Sequence, residues 1–394
     1  MDKIVIVGAG QAGASAAAEL RAHGFAGRLT LIGEEADPPY QRPPLSKKYL
    51  LGEMARERLY LRPEAFYAEK AITLRTDARA TAIDRAAREV VLGGERLPYD
   101  ALILATGSIP RPLPEALHDG SGPVYAVRGL ADIDRMAGEF REGRKVLIVG
   151  GGYIGLEAAA VARQLGLEVV LIEAAPRILA RVAAAETAAK VRALHQAHGV
   201  DLREGVALKR LESQGGGIRA ETSDGEITAD FAIIGIGVVP AVALAEAAGL
   251  EIDNGIRVDS HGQTSDPAIW AAGDCASFPY HEERIRLESV PNAIEMAENV
   301  AANVLGSNIP YQAKPWFWSD QYDVKLQTAG LGAGADRIVE RGDSVWYFNG
   351  DHLLAVDALN DPRAYMQGKR WIEAGLSPDP ARLADVDQPL KTML

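Results

Sequence analysis

The chain has 394 residues, 47% hydrophobic and 24% charged, enough for two or three domains and too apolar for a disordered protein. Acidic residues outnumber basic ones by 54 to 42, and the formal net charge of −12 has the wrong sign for a general binder of nucleic acid or anionic membrane. The single cysteine, Cys275, excludes an intrachain disulfide, a CxxC pair and a cysteine-ligated iron–sulfur cluster. There is no signal-peptide pattern and no apolar run of spanning length, so a cytoplasmic α/β protein is expected. The seven histidines show no HxH or HExxH spacing, so no metal site is expected.

Taken in chain order, the predicted elements repeat. Ile4-Val5-Ile6-Val7 reads as a buried strand, Gly8-Ala9-Gly10-Gln11-Ala12-Gly13 as a glycine turn, and the alanine-rich stretch after it as a helix. A second strand, Leu29–Ile32, ends at Gly33-Glu34. A proline- and lysine-bearing insertion follows, Asp37 to Met54. Tyr99-Asp100-Ala101-Leu102-Ile103-Leu104-Ala105-Thr106-Gly107 then reads as a further strand. The same order recurs as Val146–Val149, Gly150-Gly151-Gly152-Tyr153-Ile154-Gly155, Val169–Glu173 and Ala229-Asp230 to Gly237. Pro110 and Pro240 close both copies. Only the first copy carries the insertion.

A lone GxGxxG turn also serves plain strand–helix packing. Here each copy follows a strand, opens a helix and has an acidic residue 26 or 23 positions after its first glycine, the context of a dinucleotide fingerprint. The first glycine permits the turn, the second lets the backbone approach a pyrophosphate, and the third lets helix and strand close up. Helix N–H groups hold the phosphate charge. Glu34 and Glu173 are the expected acceptors for ribose hydroxyls. Two copies imply two dinucleotides. Ile269-Trp270-Ala271-Ala272-Gly273-Asp274 reads as a strand returning to the first sheet; Gly-Asp after a strand is by itself more often a simple turn.

Together these segments resemble the FAD-dependent pyridine nucleotide reductases of glutathione-reductase-like fold. Four segments bring the resemblance closer to the ferredoxin reductases of bacterial P450 and Rieske-type oxygenase systems. They are Tyr40-Gln41-Arg42-Pro43-Pro44-Leu45-Ser46-Lys47, Gly150 to Glu157, Glu288-Ser289-Val290-Pro291-Asn292-Ala293, and Pro315-Trp316-Phe317-Trp318-Ser319-Asp320-Gln321-Tyr322. The resemblance covers nearly the whole chain. It implies an α/β fold with two Rossmann-like dinucleotide-binding domains, for FAD and NAD, plus a smaller α+β C-terminal domain. The FAD-binding domain would be discontinuous, residues 1–112 and 242–318, with the NAD-binding domain at 113–241 and the C-terminal domain at 319–394. Independently, Val345 to Phe348 and Leu353 to Val356 around Asn349-Gly350-Asp351 predict a hairpin.

The resemblance also assigns positions. Gly8, Gly10, Ala12 and Gly13 would form the FAD pyrophosphate turn, with Glu34 on the ribose and Ala80 by the adenine. Ala105, Thr106 and Gly107 belong to the same site. Arg42, Lys47 and Arg128 would be its basic residues. Gly273, Asp274 and Val290 would lie along the ribityl chain and ring, and Trp318 near the isoalloxazine. Gly150, Gly152, Tyr153, Ile154, Gly155, Glu157, Glu173 and Gly237 would serve NAD. Lys47 and Glu157 would form the catalytic pair, a fixed ammonium that favours charge on the reduced flavin and the carboxylate that positions it. Without the resemblance, a helical Glu in such a unit is usually a surface group, Trp318 is as readily a core aromatic, and Arg42 and Lys47 are more readily solvated.

The implied activity is transfer of electrons from NADH, through FAD, to a [2Fe–2S] ferredoxin. Disulfide reductases need a cysteine pair, and NADH peroxidase and oxidase relatives need one cysteine where this chain has Arg42-Pro43-Pro44. Cys275 reads as a packed residue. A rubredoxin or other small-carrier reductase, or a flavin- and NAD-binding signalling protein related to apoptosis-inducing factor, would carry the same motifs. For docking an acidic ferredoxin, Lys48, Arg56, Arg58, Arg284, Arg286, Lys369 and Arg370 are the candidate basic face. Glu173 predicts NADH over NADPH, with Arg177 as the complicating cation.

Overall fold

The computed structural model describes residues 1–394, and the chain divides into two compact units. Met1–Arg42, Ala55–Ile109 and Val238–Pro315 form the first, and Pro43–Met54, Pro110–Gly237 and Trp316–Leu394 the second.

The first unit is built on a five-stranded parallel sheet in the order Ile269–Ala271, Ala101–Leu104, Lys3–Val7, Arg28–Ile32, Ile72–Arg75. Its central strands Lys3–Val7 and Ala101–Leu104 are nearly continuous apolar runs because both faces are covered. Ile4, Ile6, Leu29, Leu31, Leu102 and Ile103 are almost wholly buried. Helices Gln11–Ala22 and Val290–Val304 pack on each other, and small residues line the first of them. The strand Ile269–Ala271 does return to this sheet, pairing with Ala101–Leu104 through Ile269 and Leu102.

The second unit repeats the plan: Asp201–Glu204, Glu168–Glu173, Lys145–Val149, Phe231–Ile234, Val124–Ala126, again parallel. The matched aspartates do the same work in both copies. Asp100 accepts hydrogen bonds from the backbone N–H groups of Asp2 and Lys3, and Asp230 from that of Lys145, tying the entry of the neighbouring central strand.

The second unit also contains an antiparallel sheet in the order Trp316–Gln321, Val324–Gly330, His352–Leu359, Ser344–Asn349, Arg337–Arg341. The expected hairpin is Ser344–Asn349 with His352–Leu359, carrying a bulge at Tyr347 and Phe348. Helix Pro362–Glu373 covers this sheet, starting on an Asp361 cap. Gly368 lets it close in, since an added Cβ would lie 2.5 Å from Val356 and 3.0 Å from Trp346.

The partition departs from the three domains read in the sequence. The residues expected as NAD-binding and C-terminal domains share one unit, and Pro43–Met54 joins them rather than the first glycine turn. Side-chain bonds explain this. The Tyr49 hydroxyl donates to Asp134 at 2.7 Å, and Ser46 and Ser319 both donate to Glu157. A second buried carboxylate, Asp357, accepts from Thr187 at 2.8 Å, Thr328 at 2.6 Å and Tyr347. The Tyr347 oxygen in turn accepts the Ala184 N–H at 2.7 Å. Burial pushes the Asp357 carboxyl above its ordinary range against the pull of those three hydroxyls. Tyr347→Phe strands both the N–H and part of the carboxylate, so it should cost about 1–3 kcal/mol. Thr187→Val should be non-additive with it, because both donate to one oxygen. Urea unfolding of the two single variants and the double variant measures both effects.

Candidate dinucleotide and ion-pair site

In each copy the three glycines fall into two geometries. A Cβ on Gly8 would lie 2.0 Å from the Ala105 carbonyl oxygen, and one on Gly13 1.8 Å from that of Gly8. Gly150 and Gly155 stand likewise against the Gly235 and Gly150 carbonyls, at 2.4 and 2.1 Å. Those four positions are closed by packing. Gly10 and Gly152 have nothing within 4 Å where a Cβ would be. Each caps the N-terminus of its helix, Gln11–Ala22 or Tyr153–Gln164, so free N–H groups and an open approach coincide. This is the shape a pyrophosphate requires, and the residues present fit one in each unit.

In the first unit, Gly273, at φ +80°, lies where an added Cβ would be 2.9 Å from Ala12 Cβ and 3.8 Å from Ala293. The N-terminal ends of helices Gln11–Ala22 and Val290–Val304 therefore meet at the Gly273-Asp274 turn. Ser289 caps the second helix, with Val290 as its first residue. Ser108 donates to Asp274 at 2.9 Å, and the Thr106 hydroxyl to the Ala241 carbonyl at 2.7 Å. Ala105 and Gly107 continue that strand end, with Gly107 at φ +69°. Glu34 is 63% exposed, with Arg79 3.9 Å away. Ala80 lies half-buried against the core two residues beyond the loop bond from Ala78 N–H to the Gly33 carbonyl. Arg42 is paired with Glu35 and sits over the Tyr40 ring. Burial works against its charge, but Tyr40, Glu35 and Asp274 more than offset this and raise its pKa.

In the second unit, the Glu173 carboxylate accepts the N–H groups of Gly151 and Ala175, each at 2.7 Å, which fixes a negative charge beside the glycine turn. Arg177 turns away, donating weakly to the Ile178 and Ala184 carbonyls. Gly237, at φ +100°, has the Arg181 guanidinium 3.2 Å from where a Cβ would stand. Arg181 was not singled out in the sequence. Tyr153 packs against Phe317, with ring centroids 4.6 Å apart and tilted by 37°, next to half-buried Ile154. Trp318 stacks on Trp316, 5.6 Å between centroids. Arg128 lies half-buried just after strand Val124–Ala126.

Glu157 is the surprise of local sequence reading, because it is buried. Its side chain is 8% exposed, and Oε1 lies 2.9 Å from the Lys47 ammonium, itself 16% exposed. Ser319 donates to Oε1 at 2.7 Å and Ser46 to Oε2 at 2.8 Å. Burial pushes the carboxyl pKa up; Lys47 and the two hydroxyls oppose it. Lys47 reaches Glu157 from the short helical segment Leu45–Tyr49, whose helical turn breaks at Lys47 itself, at φ −135°. Ser46 and Ser319 lie within the segments that carry the resemblance, and the sequence assigns them no role. A single hydroxyl has no distinctive pattern in one sequence.

The proposed basic face is thinner than the sequence suggested. Arg56 is held by Asp37, Arg284 by the Val258 and Ser277 carbonyls, and Arg286 by Glu288 and the Asp274 carbonyl. Lys369 lies over the Trp316 ring at 4.8 Å with Glu373 3.7 Å away. Lys48, Arg58 and Arg370 are exposed. Cys275 is buried in the first unit, bonded to the Leu104 and Ala272 carbonyls, and burial raises its thiol pKa.

The profile of the pyridine nucleotide-disulphide oxidoreductases matches residues 2–297, and that of the reductase C-terminal domain residues 316–394. The chain belongs to the pyridine nucleotide-disulphide oxidoreductase family, and is an oxidoreductase. Among individual proteins, it is 42% identical to putidaredoxin reductase of Pseudomonas putida, over 100% of this chain and 97% of that one. It is 41% identical to the ferredoxin–NAD(+) reductase component of the anthranilate 1,2-dioxygenase system of Burkholderia cepacia, over 100% and 99%. Among solved structures, the covalent putidaredoxin reductase–putidaredoxin complex superposes with a TM-score of 0.95 at 42% identity, over 100% of this chain and 98% of that one.

The glycine geometry separates binding from folding. Gly10→Ala and Gly152→Ala should leave stability within about 0.5 kcal/mol of the parent. They should weaken FAD retention and NADH binding, respectively, by about tenfold or more. Gly13→Ala and Gly155→Ala should instead destabilise by about 1–3 kcal/mol through their carbonyl clashes. Thermal unfolding, flavin absorbance and NADH titration distinguish the two classes.

Proposed function

We propose that the chain is an FAD-dependent NADH:ferredoxin reductase, moving electrons from NADH to a [2Fe–2S] ferredoxin that serves a P450 or Rieske-type oxygenase. The observation that carries this is the pair of dinucleotide turns whose middle glycines, Gly10 and Gly152, face open space, in a chain with one buried cysteine. With no second thiol there is no protein disulfide relay, and electrons must leave by another carrier. When bound, FAD supplies the change from two-electron to one-electron transfer that lies between a hydride donor and an iron–sulfur protein. The full-length relatives are named as reductases of such ferredoxin systems, which supports the same partner here.

Each residue group then has a task. The N–H groups at Gly10 to Gly13 and at Gly152 to Gly155 receive the two pyrophosphates, of FAD and of NADH. Glu34 takes the FAD ribose. Asp274, anchored by Ser108, holds the polyol side of the flavin site with Val290 and the Ala105-Thr106-Gly107 strand end. Arg42, Arg128 and Trp318 complete the assignments to FAD, and Tyr153, Ile154 and Gly237 those to NADH. The Lys47 ammonium, fixed by Glu157, supports negative charge on the reduced flavin. No acid–base dyad is required, because the transferred hydride carries its own electrons. A cytoplasmic setting belongs to this reading; no helix is long and apolar enough to cross a membrane.

Glu173 sets the nucleotide. Its carboxylate suits a ribose diol and repels a 2′-phosphate, while Arg177 is engaged with carbonyls. Denaturation should release FAD; recovery of FMN, or of no flavin after expression with ample riboflavin, contradicts the assignment. Stopped-flow flavin reduction should favour NADH over NADPH by about tenfold or more, about 1.4 kcal/mol, and Glu173→Ala should narrow that ratio. Reoxidation by [2Fe–2S] ferredoxin should outpace that by rubredoxin; the reverse order replaces the partner.

A further inference from the structure

Behind Glu157 lies a line of buried polar side chains that the assignments above do not use. Ser319 Oγ lies 2.7 Å from Glu157 Oε1, Gln321 Nε2 3.1 Å from Ser319 Oγ, and Gln321 Oε1 2.8 Å from His195 Nε2. The Tyr322 hydroxyl stands 3.4 Å from His195 Nδ1. Ser319, Gln321 and His195 are each no more than 2% exposed. Alternation along strand Trp316–Gln321 puts Ser319 and Gln321 on one face. Helix Ala185–Ala197 brings His195 to them.

The sense of this line follows from its end. An ionised Glu157 beside Lys47 can only accept, so Ser319 must donate. The Ser319 oxygen must then accept from the Gln321 amide N–H, which turns the amide oxygen toward His195. That oxygen requires a proton on Nε2, leaving Nδ1 to accept from Tyr322. Burial lowers the His195 pKa to about 4, so the ring is neutral at physiological pH and has the one proton this arrangement needs.

We infer that His195, Gln321 and Ser319, with Tyr322 behind them, form a one-way donor chain that keeps Glu157 ionised as the counter-ion of Lys47. They are positioning residues, and none of them is assigned to a cofactor. The inference extends the reading in which the Lys47–Glu157 pair acts on the flavin. The charged and titratable groups around the chain are few. Lys47 faces Glu157, with Asp320 3.9 Å beyond the ammonium. Tyr322 lies between His195 and exposed His198, whose ring stacks on it at 3.6 Å. Arg163 holds the His198 carbonyl.

Nitrogen NMR of the holoenzyme labelled at histidine tests the chain without any substitution. His195 should be the Nε2–H tautomer across neutral pH; an Nδ1–H tautomer overturns the inference. Infrared titration of the Glu157 carboxyl, assigned with Glu157→Gln, gives the second readout. Ser319→Ala and Gln321→Leu should raise the protonated fraction of Glu157 about tenfold at a given pH, because each weakens donation to the anion. His195→Gln, which keeps a donor near the Nε2 position, should titrate like the parent, and His195→Phe like Gln321→Leu. An unchanged Glu157 titration in all these variants overturns the inference. The flavin midpoint potential of Ser319→Ala separates the two levels: a shifted carboxyl with an unmoved potential upholds the chain and refutes the action of Lys47–Glu157 on the flavin.

Discussion

The second unit depends on taking one carboxylate out of water. A buried Glu157 is tolerable only if its lone pairs are filled and a cation stands beside it, since desolvating an unpaired carboxylate costs several kcal/mol. Its partners come from distant stretches of chain: Ser46 and Lys47 from the insertion, Ser319 from the C-terminal sheet. Satisfying the carboxylate therefore binds those stretches to helix Tyr153–Gln164, which opens at the second glycine turn. Such a pair is weak evidence for stability, because apolar replacements often do as well. What the pair does is fix an ammonium at one place.

The two dinucleotide units show how a duplicated plan acquires different uses. The strands, the carbonyl-packed glycines and the aspartates Asp100 and Asp230 are equivalent and serve the fold. The differences lie at the strand ends. Glu34 is open to solvent, whereas Glu173 is locked by two backbone N–H groups. Two residues after Gly13 the first helix has half-buried Ser15, whereas two residues after Gly155 the second has Glu157 in the core. Small changes on the same scaffold thus give the two glycine turns different surroundings.

Much of this was legible from residues alone. Strand runs such as Ile4–Val7 and Val146–Val149 declare themselves by β-branching and by the glycines after them, and the return of Ile269–Ala271 to the first sheet followed from its apolar run. The hairpin at Asn349-Gly350 was equally plain. Burial of Glu157 was not, because the chain's own pattern makes a helical Glu a solvated group; only resemblance pointed to Lys47. Ser46, Ser319, Gln321 and His195 were beyond reach for a physical reason. Hydroxyl, amide and imidazole groups acquire meaning here from distances set by tertiary packing, and their spacing in sequence has no period. Pro43–Met54 belongs with the second unit for the same reason, since its bonds are to Glu157 and Asp134.

The central claim is that a fixed ammonium at Lys47 supports charge on the reduced flavin. Spectroelectrochemical titration of Lys47→Met against the parent tests it most directly. Loss of the ammonium should lower the two-electron midpoint potential by about 30 mV or more, the equivalent of a tenfold change in the equilibrium between oxidised and reduced forms. A potential that stays where it was, or rises, would contradict the account.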